Sequence, residues 1–308
     1  MLKLASISFS YEEPIFKNIS FEVGEGEIIG IVGNSGAGKT TLLKVIAGLL
    51  DATVGEVYFE ENVVTGPSQN LVPGHEDIKL VLQDFGLDVF QTVRENIAGK
   101  ALYLPRKERD ELVNELLELT ELGHLSDQKA KYISGGEQQR LALARVLVGE
   151  PKLILLDEPF VHLDGRLRMK ISNYLLQMKE ICGTSFILVS HDGEEMLSLA
   201  DRIVHFSEGQ VKRIASPKEF YFRPESFEEG ELFGVINQVE REGKLMLFRP
   251  TEFELTEDTN GINLTYMSSQ FAGAHYINYF ETTNKERIIL FQNQPMTNET
   301  KINIKKRD

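Results

Sequence analysis

The sequence predicts an α/β domain followed by a small all-β domain. Three observations carry that expectation. The run "GEIIGIVG" is apolar and β-branched, ends at Gly33 and leads through "GNSGAGKT" into a segment of helical character. Two further apolar runs, "KLILLDEP" and "SFILVSHD", each end in polar residues, as buried strands of an open α/β sheet do. After about residue 215 the chain turns to short β-branched runs separated by Asn, Gly and Thr.

Taken in order, residues 2–9, "LKLASISF", and 18–23, "NISFEV", alternate like half-buried strands. The strand through "IIGIV" comes next, then a glycine loop, then a helix over 40–49 closed by Gly48. From Pro105 to about Leu122 the apolar residues fall at helical spacing, and Pro105 suits a helix start. This segment reads as part of a peripheral helical subdomain. A second amphipathic helix covers 137–148, ahead of the two strands ending at "DEP" and "SHD". The stretch "SPKEFYFRPES" is aromatic, charged and Pro-punctuated, and reads as a linker. Within 232–308, "GVINQV", "KLMLFRP", "HYINYFET" and "RIILFQ" read as strands. No internal repeat or low-complexity tract is evident.

The chain has 308 residues, 42% hydrophobic and 26% charged, enough for one large domain plus a small one, or two of moderate size, with a sizeable core. The formal net charge of -14 argues against a protein held on nucleic acid by clustered Lys and Arg, so no nucleic-acid partner is expected. A single cysteine, Cys182, leaves no intramolecular disulfide and reads as a small semi-buried residue. Without paired thiols or a signal peptide, the cytoplasm is the expected compartment. No run approaches the roughly 18 apolar residues needed to cross a bilayer, so a membrane role would come through a partner.

The chemistry gathers at the strand ends. Gly33, Asn34, Ser35, Gly36, Ala37, Gly38, Lys39 and Thr40 fit the pattern GxxxxGK[ST], and the strand before and helix after them are the context a phosphate loop requires. Glycines let backbone N–H groups curl around phosphate oxygens, and the helix N-terminus favours negative charge. Lys39 is expected to reach the β- and γ-phosphates of ATP, and the Thr40 hydroxyl to ligate Mg²⁺. Asp157 ends an apolar strand, where it can hold Mg²⁺. Glu158 follows it, where a carboxylate can deprotonate the attacking water. An isolated Asp-Glu pair is more often a solvated turn, but here a phosphate loop accompanies it. Gln83, in "LVLQDFGL", also follows an apolar run, and its amide can bind Mg²⁺ or its water. His191 at the end of "ILVSH" is a candidate γ-phosphate contact, although a lone His there is usually structural.

"KYISGGEQQR" adds a second glycine turn opening into a helix. Ser134, Gly135 and Gly136 offer a hydroxyl, two unobstructed amides and a helix dipole, a second anion site. An ordinary N-cap accounts for the Ser but not for Gly-Gly-Glu-Gln-Gln. A head-to-tail pair of chains, with the phosphate loop of one and the serine turn of the other enclosing each ATP, is the economical arrangement.

In this ordered set, "GNSGAGKT", "LQD", "ISGGEQQR", "LILLDEP", "HLD" and "SH", residues 1–225 resemble the ATPase subunit of an ABC transporter. The resemblance implies a P-loop NTPase cassette over residues 1–228. Its parts are a RecA-like core and a helical subdomain at about 85–150. By the same resemblance Tyr11 stacks on adenine, Gly33 to Thr40 are the Walker A motif and Thr41 joins them in binding the nucleotide. Gln83 is the Q-loop glutamine, with Mg²⁺ held by Thr40, Gln83 and Asp157. Ser134, Gly135, Gly136, Glu137 and Gln138 are the signature, Glu158 is the catalytic carboxylate, Asp164 belongs to the D-loop and His191 is the switch histidine. Three departures stand out: Ile133 where Leu is usual, Val161-His162 in the D-loop, and "GLDVFQTVRENI" after the Q-loop. The tail from "SPKEFYFRPES" through "FRPTEFEL" resembles the entry into the C-terminal TOBE-type domain of importers for polyamines, ferric iron, sulfate or molybdate, here over 229–308.

The resemblance therefore implies a homodimeric ATPase at the cytoplasmic face of the membrane. Its partners would be integral-membrane permease subunits and, in an importer, a solute-binding protein. Two alternatives are an exporter or lipid-handling cassette, which rarely needs a β-domain, and a soluble ATPase of translation or DNA repair. The latter usually carries two cassettes or a long coiled coil, and this chain has neither.

Overall fold

The computed structural model describes residues 1–82, 85–149, 151–241, 243–258, 261–297 and 300–305. It divides into two compact units, Met1–Ser216 and Pro217–Asp308.

The first unit opens with an antiparallel hairpin, β1 (Leu2–Ser10) and β2 (Pro14–Val23), which begins earlier than the strand expected at Asn18. Next come β3 (Ile28–Val32), α1 (Lys39–Ile46), β4 (Val54–Phe59), β5 (Asn62–Val63) and β6 (Ile78–Val81). The helical part holds α2 (Val93–Ala98), α3 (Arg106–Leu119) and α4 (Gly135–Val146). The unit finishes with β7 (Leu153–Asp157), α5 (Gly165–Cys182), β8 (Ser185–Ser190), α6 (Glu194–Leu197), β9 (Arg202–Ser207) and β10 (Gln210–Ala215).

Two sheets result. Four strands in the order β2-β1-β4-β5 are antiparallel, and six in the order β10-β9-β3-β8-β7-β6 are parallel except for the edge strand β10. Every residue of β3, β7 and β8 is buried, which is why those segments read as unbroken apolar runs. Leu42, Leu43 and Ile46 of α1 join Leu2, Leu4 and Ile7 of β1 and Ile29, Leu155 and Ile187 of the parallel sheet in one core. Because β3, β8 and β7 are neighbours, Val32, Ser190 and Asp157 end on the same edge of the sheet. That edge carries the site.

Helix α5 has no counterpart among the sequence expectations. Its buried positions Leu167, Ile171, Leu175 and Met178 follow helical spacing, Asp164 caps its start and Gly183 ends it at φ 70°. Cys182, expected to be semi-buried, is exposed on its last turn. No helix among the described residues is long and apolar enough to cross a membrane.

The second unit begins at Pro217, earlier than the division after residue 228 read from the sequence. The supposed linker forms α7 (Pro217–Phe222), and α8 (Phe227–Glu231) follows directly after it. Fully buried Arg249 ties this segment down: its guanidinium donates to the carbonyls of Tyr221, Gly230, Gly234 and Val235. The strands are the hairpin β11 (Asn237–Arg241) and β12 (Lys244–Phe248), and a five-stranded antiparallel sheet. That sheet contains β13 (Phe253–Leu255), β14 (Ile262–Phe271), β15 (Tyr276–Thr282), β16 (Arg287–Gln292) and β17 (Thr300–Ile304). Strand β14 was not among the runs read from the sequence. Its exposed positions, Asn263, Thr265 and Ser268 among them, leave it little apolar signal.

Candidate functional site

Residues 33–38 link β3 to α1 in a loop that only small residues permit. A Cβ on Gly33 would lie 1.8 Å from the Phe206 carbonyl oxygen, and Gly38 has φ +98° with Ile15 against it. The helix after Gly38 has no side-chain cap, so its first N–H groups face the loop. Lys39 is buried, and its Nζ donates to the carbonyls of Gly33 at 2.7 Å and Asn34 at 3.0 Å. Burial pushes its ammonium below the ordinary lysine value, while Glu158 and Asp157 oppose that shift.

Asp157, at the end of β7, accepts a 2.6 Å hydrogen bond from the Thr40 hydroxyl. Burial pushes its carboxyl up, the Thr40 bond opposes this, and the adjacent Glu158 charge adds to it. Thr40 and Asp157 thus set two hard oxygens side by side at the loop, a donor pair that suits Mg²⁺ sharing its other positions with phosphate and water. Among the described residues no cluster of three His, Cys, Asp or Glu forms a closed metal cage.

Glu158 sits in the left-handed region at φ +50°, which a non-glycine residue adopts at a cost of about 1 kcal/mol or more. Two contacts hold its backbone: its N–H donates to the Val189 carbonyl of β8, and Gln139 of α4 donates to its carbonyl at 2.9 Å. The carboxylate therefore turns off the strand toward His191, whose Nδ1 lies 3.0 Å from Glu158 Oε1.

Ser134 caps α4 in a capping box. Its backbone N–H and hydroxyl both donate to Glu137 Oε2, and the Glu137 N–H returns to its hydroxyl. These contacts hold the Glu137 carboxyl below the usual range. The helix starts at Gly135 rather than at the expected Glu137. Gln138 donates to the carbonyls of Ala130 and Ile133, bracing the turn. No hydrogen bond joins Ser134 to the Lys39 loop within one chain. His162, in the left-handed region, comes within 3.8 Å of where a Gly136 Cβ would stand.

Asp164 caps α5 by accepting from the Leu167 N–H. Tyr11 lies in the β1–β2 turn, exposed and edge-on to Phe9 at 4.9 Å, and the following strand brings Ile15 against Gly38. Gln83 lies outside the described residues. The structure thus brings Lys39, Thr40, Asp157, Glu158 and His191 to one sheet edge and leaves Ser134 to Gln138 as a separate helix start. The sequence reading missed Gln139, although it follows the signature directly; its side-chain contact with the Glu158 carbonyl has no local sequence signal.

A family model described as "ABC transporter" matches residues 16–161. The sulfate/thiosulfate import ATP-binding protein CysA of Vibrio cholerae is 38% identical over 226 residues, 71% of this chain and 59% of that protein. The spermidine/putrescine import ATP-binding protein PotA of Mycoplasma mycoides subsp. mycoides is 31% identical over 325 residues, covering 94% of this chain and 90% of that one. The chain belongs to the ABC transporter family of ATP-binding proteins. Among solved structures, the dimeric ABC cassette in a post-hydrolysis state with ADP and inorganic phosphate aligns at a TM-score of 0.62 and 30% identity. That alignment takes in 70% of this chain and 99% of that cassette. The family match over residues 16–161 lies within the first unit. The match to CysA spans about three-fifths of that relative's length.

Proposed function

We propose that this ABC protein is the ATP-hydrolysing subunit of a solute importer, working as a head-to-tail homodimer under integral-membrane permease subunits. The observation that carries the reading is the convergence of two pairs on one sheet edge, Thr40 with Asp157 and Glu158 with His191. The backbone N–H groups of Gly33 to Thr41 and the Lys39 ammonium bind the phosphates, and Tyr11 receives the adenine. Thr40 and Asp157, with Gln83, hold Mg²⁺. The metal, when bound, draws charge from the β- and γ-phosphate oxygens. Glu158 takes the proton of the attacking water, and His191 orients the carboxylate and faces the γ-phosphate. Ser134, Gly135, Gly136, Glu137 and Gln138 of a second copy close over the same nucleotide, with that copy's Asp164 at the seam. Closure draws the two chains together and moves the permease, and hydrolysis reopens them.

Import is favoured because the curated relatives are named as import proteins and because the second unit is a small antiparallel β domain at the place expected of importer ATPases. The choice of solute we assign to the permease and a solute-binding protein. On this reading the chain works at the cytoplasmic face of the membrane. The test is a pull-down of tagged Glu158→Gln from detergent-solubilised native membranes with ATP and Mg²⁺. Recovery of a multi-span permease supports the reading. Recovery of soluble ribosomal or DNA-processing proteins alone overturns the transport assignment.

A further inference from the structure

Glu195, at the start of α6, is a buried carboxylate that the hydrolytic scheme does not use. Its side chain is 7% exposed, yet two groups from different elements reach it. Ser190, the last residue of β8, donates its hydroxyl to Glu195 Oε2 at 2.7 Å. Arg168, one turn into α5, sets Nη1 3.3 Å from Glu195 Oε1. The same Ser190 hydroxyl accepts from the Asp192 N–H at 3.0 Å. Ser190 Oγ thus ties together the two residues on either side of His191 and fixes the turn from which the imidazole projects.

At the other end, the Arg168 N–H donates to the Asp164 carbonyl, so Arg168 follows directly on the capped start of α5. Arg168 Nε is buried with no hydrogen-bond partner among the described residues, and the ion pair with Glu195 anchors this guanidinium. A carboxylate this deep is stable only while its partners hold it, since losing one leaves a buried charge uncompensated. Burial pushes its carboxyl up, and the Ser190 bond and Arg168 oppose the shift.

We propose that Arg168, Glu195 and Ser190 are positioning residues that hold His191 against Glu158 and connect this pair to the D-loop end of α5. The connection runs Asp164, Arg168, Glu195, Ser190, His191, Glu158, and every link from Arg168 to Glu158 is a side-chain contact of 3.3 Å or less or a peptide neighbour. It rests on the hydrolytic reading above, in which Asp164 lies at the seam with a second chain. A change at the seam thereby reaches the base through one turn of helix and four side chains, those of Arg168, Glu195, Ser190 and His191.

The test uses steady-state ATPase kinetics of the full chain, with nucleotide affinity and melting temperature measured in parallel. Glu195→Gln keeps an acceptor for Ser190 but turns an amide toward Arg168. Ser190→Ala removes one oxygen and Arg168→Met one charge. Each is expected to lower kcat about tenfold, the effect of losing one charge-assisted hydrogen bond, with KM for ATP within about twofold. Ser190→Thr and Arg168→Lys, which keep hydroxyl and charge, are expected to recover most of kcat. Glu158→Gln serves as the reference. If it turns over at the wild-type rate, the assignment of the base fails and the relay with it. If it is inactive while the three relay variants stay within twofold of wild type, the relay alone is overturned. The relay is also overturned if kcat and KM change together with falling melting temperature and the conservative variants do no better, because that pattern belongs to a structural role.

Discussion

His191 Nδ1 lies 3.0 Å from Glu158 Oε1, and the two residues directly follow the adjacent strands β8 and β7, which the Glu158 N–H joins by donating to the Val189 carbonyl. The imidazole is half exposed while the carboxylate is largely covered, so the histidine is the part of the pair that faces outward. Replacing His191 by Ala is expected to lower kcat by about 10²–10³ while ATP affinity stays near wild type, since the phosphates are held by the Lys39 loop. Turnover and nucleotide titration on the same preparation check this. A loss of affinity as large as the loss of turnover would place His191 in ground-state binding instead.

Ser134 lends itself to two substitutions with different expected outcomes. Ser134→Ala removes the capping box and is expected to cost about 1 kcal/mol of stability. Ser134→Arg is expected to abolish hydrolysis and nucleotide-induced dimerisation while leaving binding to the Lys39 loop intact. Light scattering with ATP reads the dimer. Full activity of the Arg variant would mean that α4 does not close over a nucleotide.

Gly33→Ala would drive a Cβ to within 1.8 Å of the Phe206 carbonyl oxygen, with backbone rather than a flexible side chain in the way. The expected result is about 3 kcal/mol of destabilisation, at the upper end of overpacking penalties, with a displaced phosphate loop. Thermal denaturation and nucleotide affinity should fall together. Gly36→Ala has open space around its Cβ, and only its φ of +80° weighs against it, so it should be milder.

Alkaline pH offers a separate check on α5. Burial, with smaller contributions from Glu115 and Cys182, pushes the Tyr174 phenol up to about 12. In the unfolded chain it ionises near 10, so above that pH the unfolded state releases a proton that the folded state retains. Stability is therefore expected to fall between pH 10 and about 12, by at most roughly 2–3 kcal/mol. Tyr174→Phe should flatten that part of the denaturation profile. An unchanged profile would show that the phenol ionises freely in the folded protein.

The sequence by itself determined which residues stand at the strand ends. "GNSGAGKT", "LILLDEP" and "SH" are local: a strand buried on both faces must be apolar, and a loop that wraps phosphate must be small-residued, so both leave a mark in consecutive residues. The order of these motifs also revealed the family. Helix α5 went unread, although Leu167, Ile171, Leu175 and Met178 between Asp164 and Gly183 carry its helical spacing.

Only the tertiary structure decided what touches what. The sheet order places β3, β8 and β7 side by side, and this alone brings Thr40 to Asp157 and His191 to Glu158 across separations of 117 and 33 residues. Gln139 on the Glu158 carbonyl, Arg168 on Glu195 and Arg249 on the carbonyls of its unit belong to the same class. Each is a polar group whose partner lies on another element, and a buried hydrogen bond needs its partner close in space, not in sequence. That is why "SPKEFYFRPES" read as a linker: nothing within it announces that Arg249 will bind the Tyr221 carbonyl and tie it to the second unit.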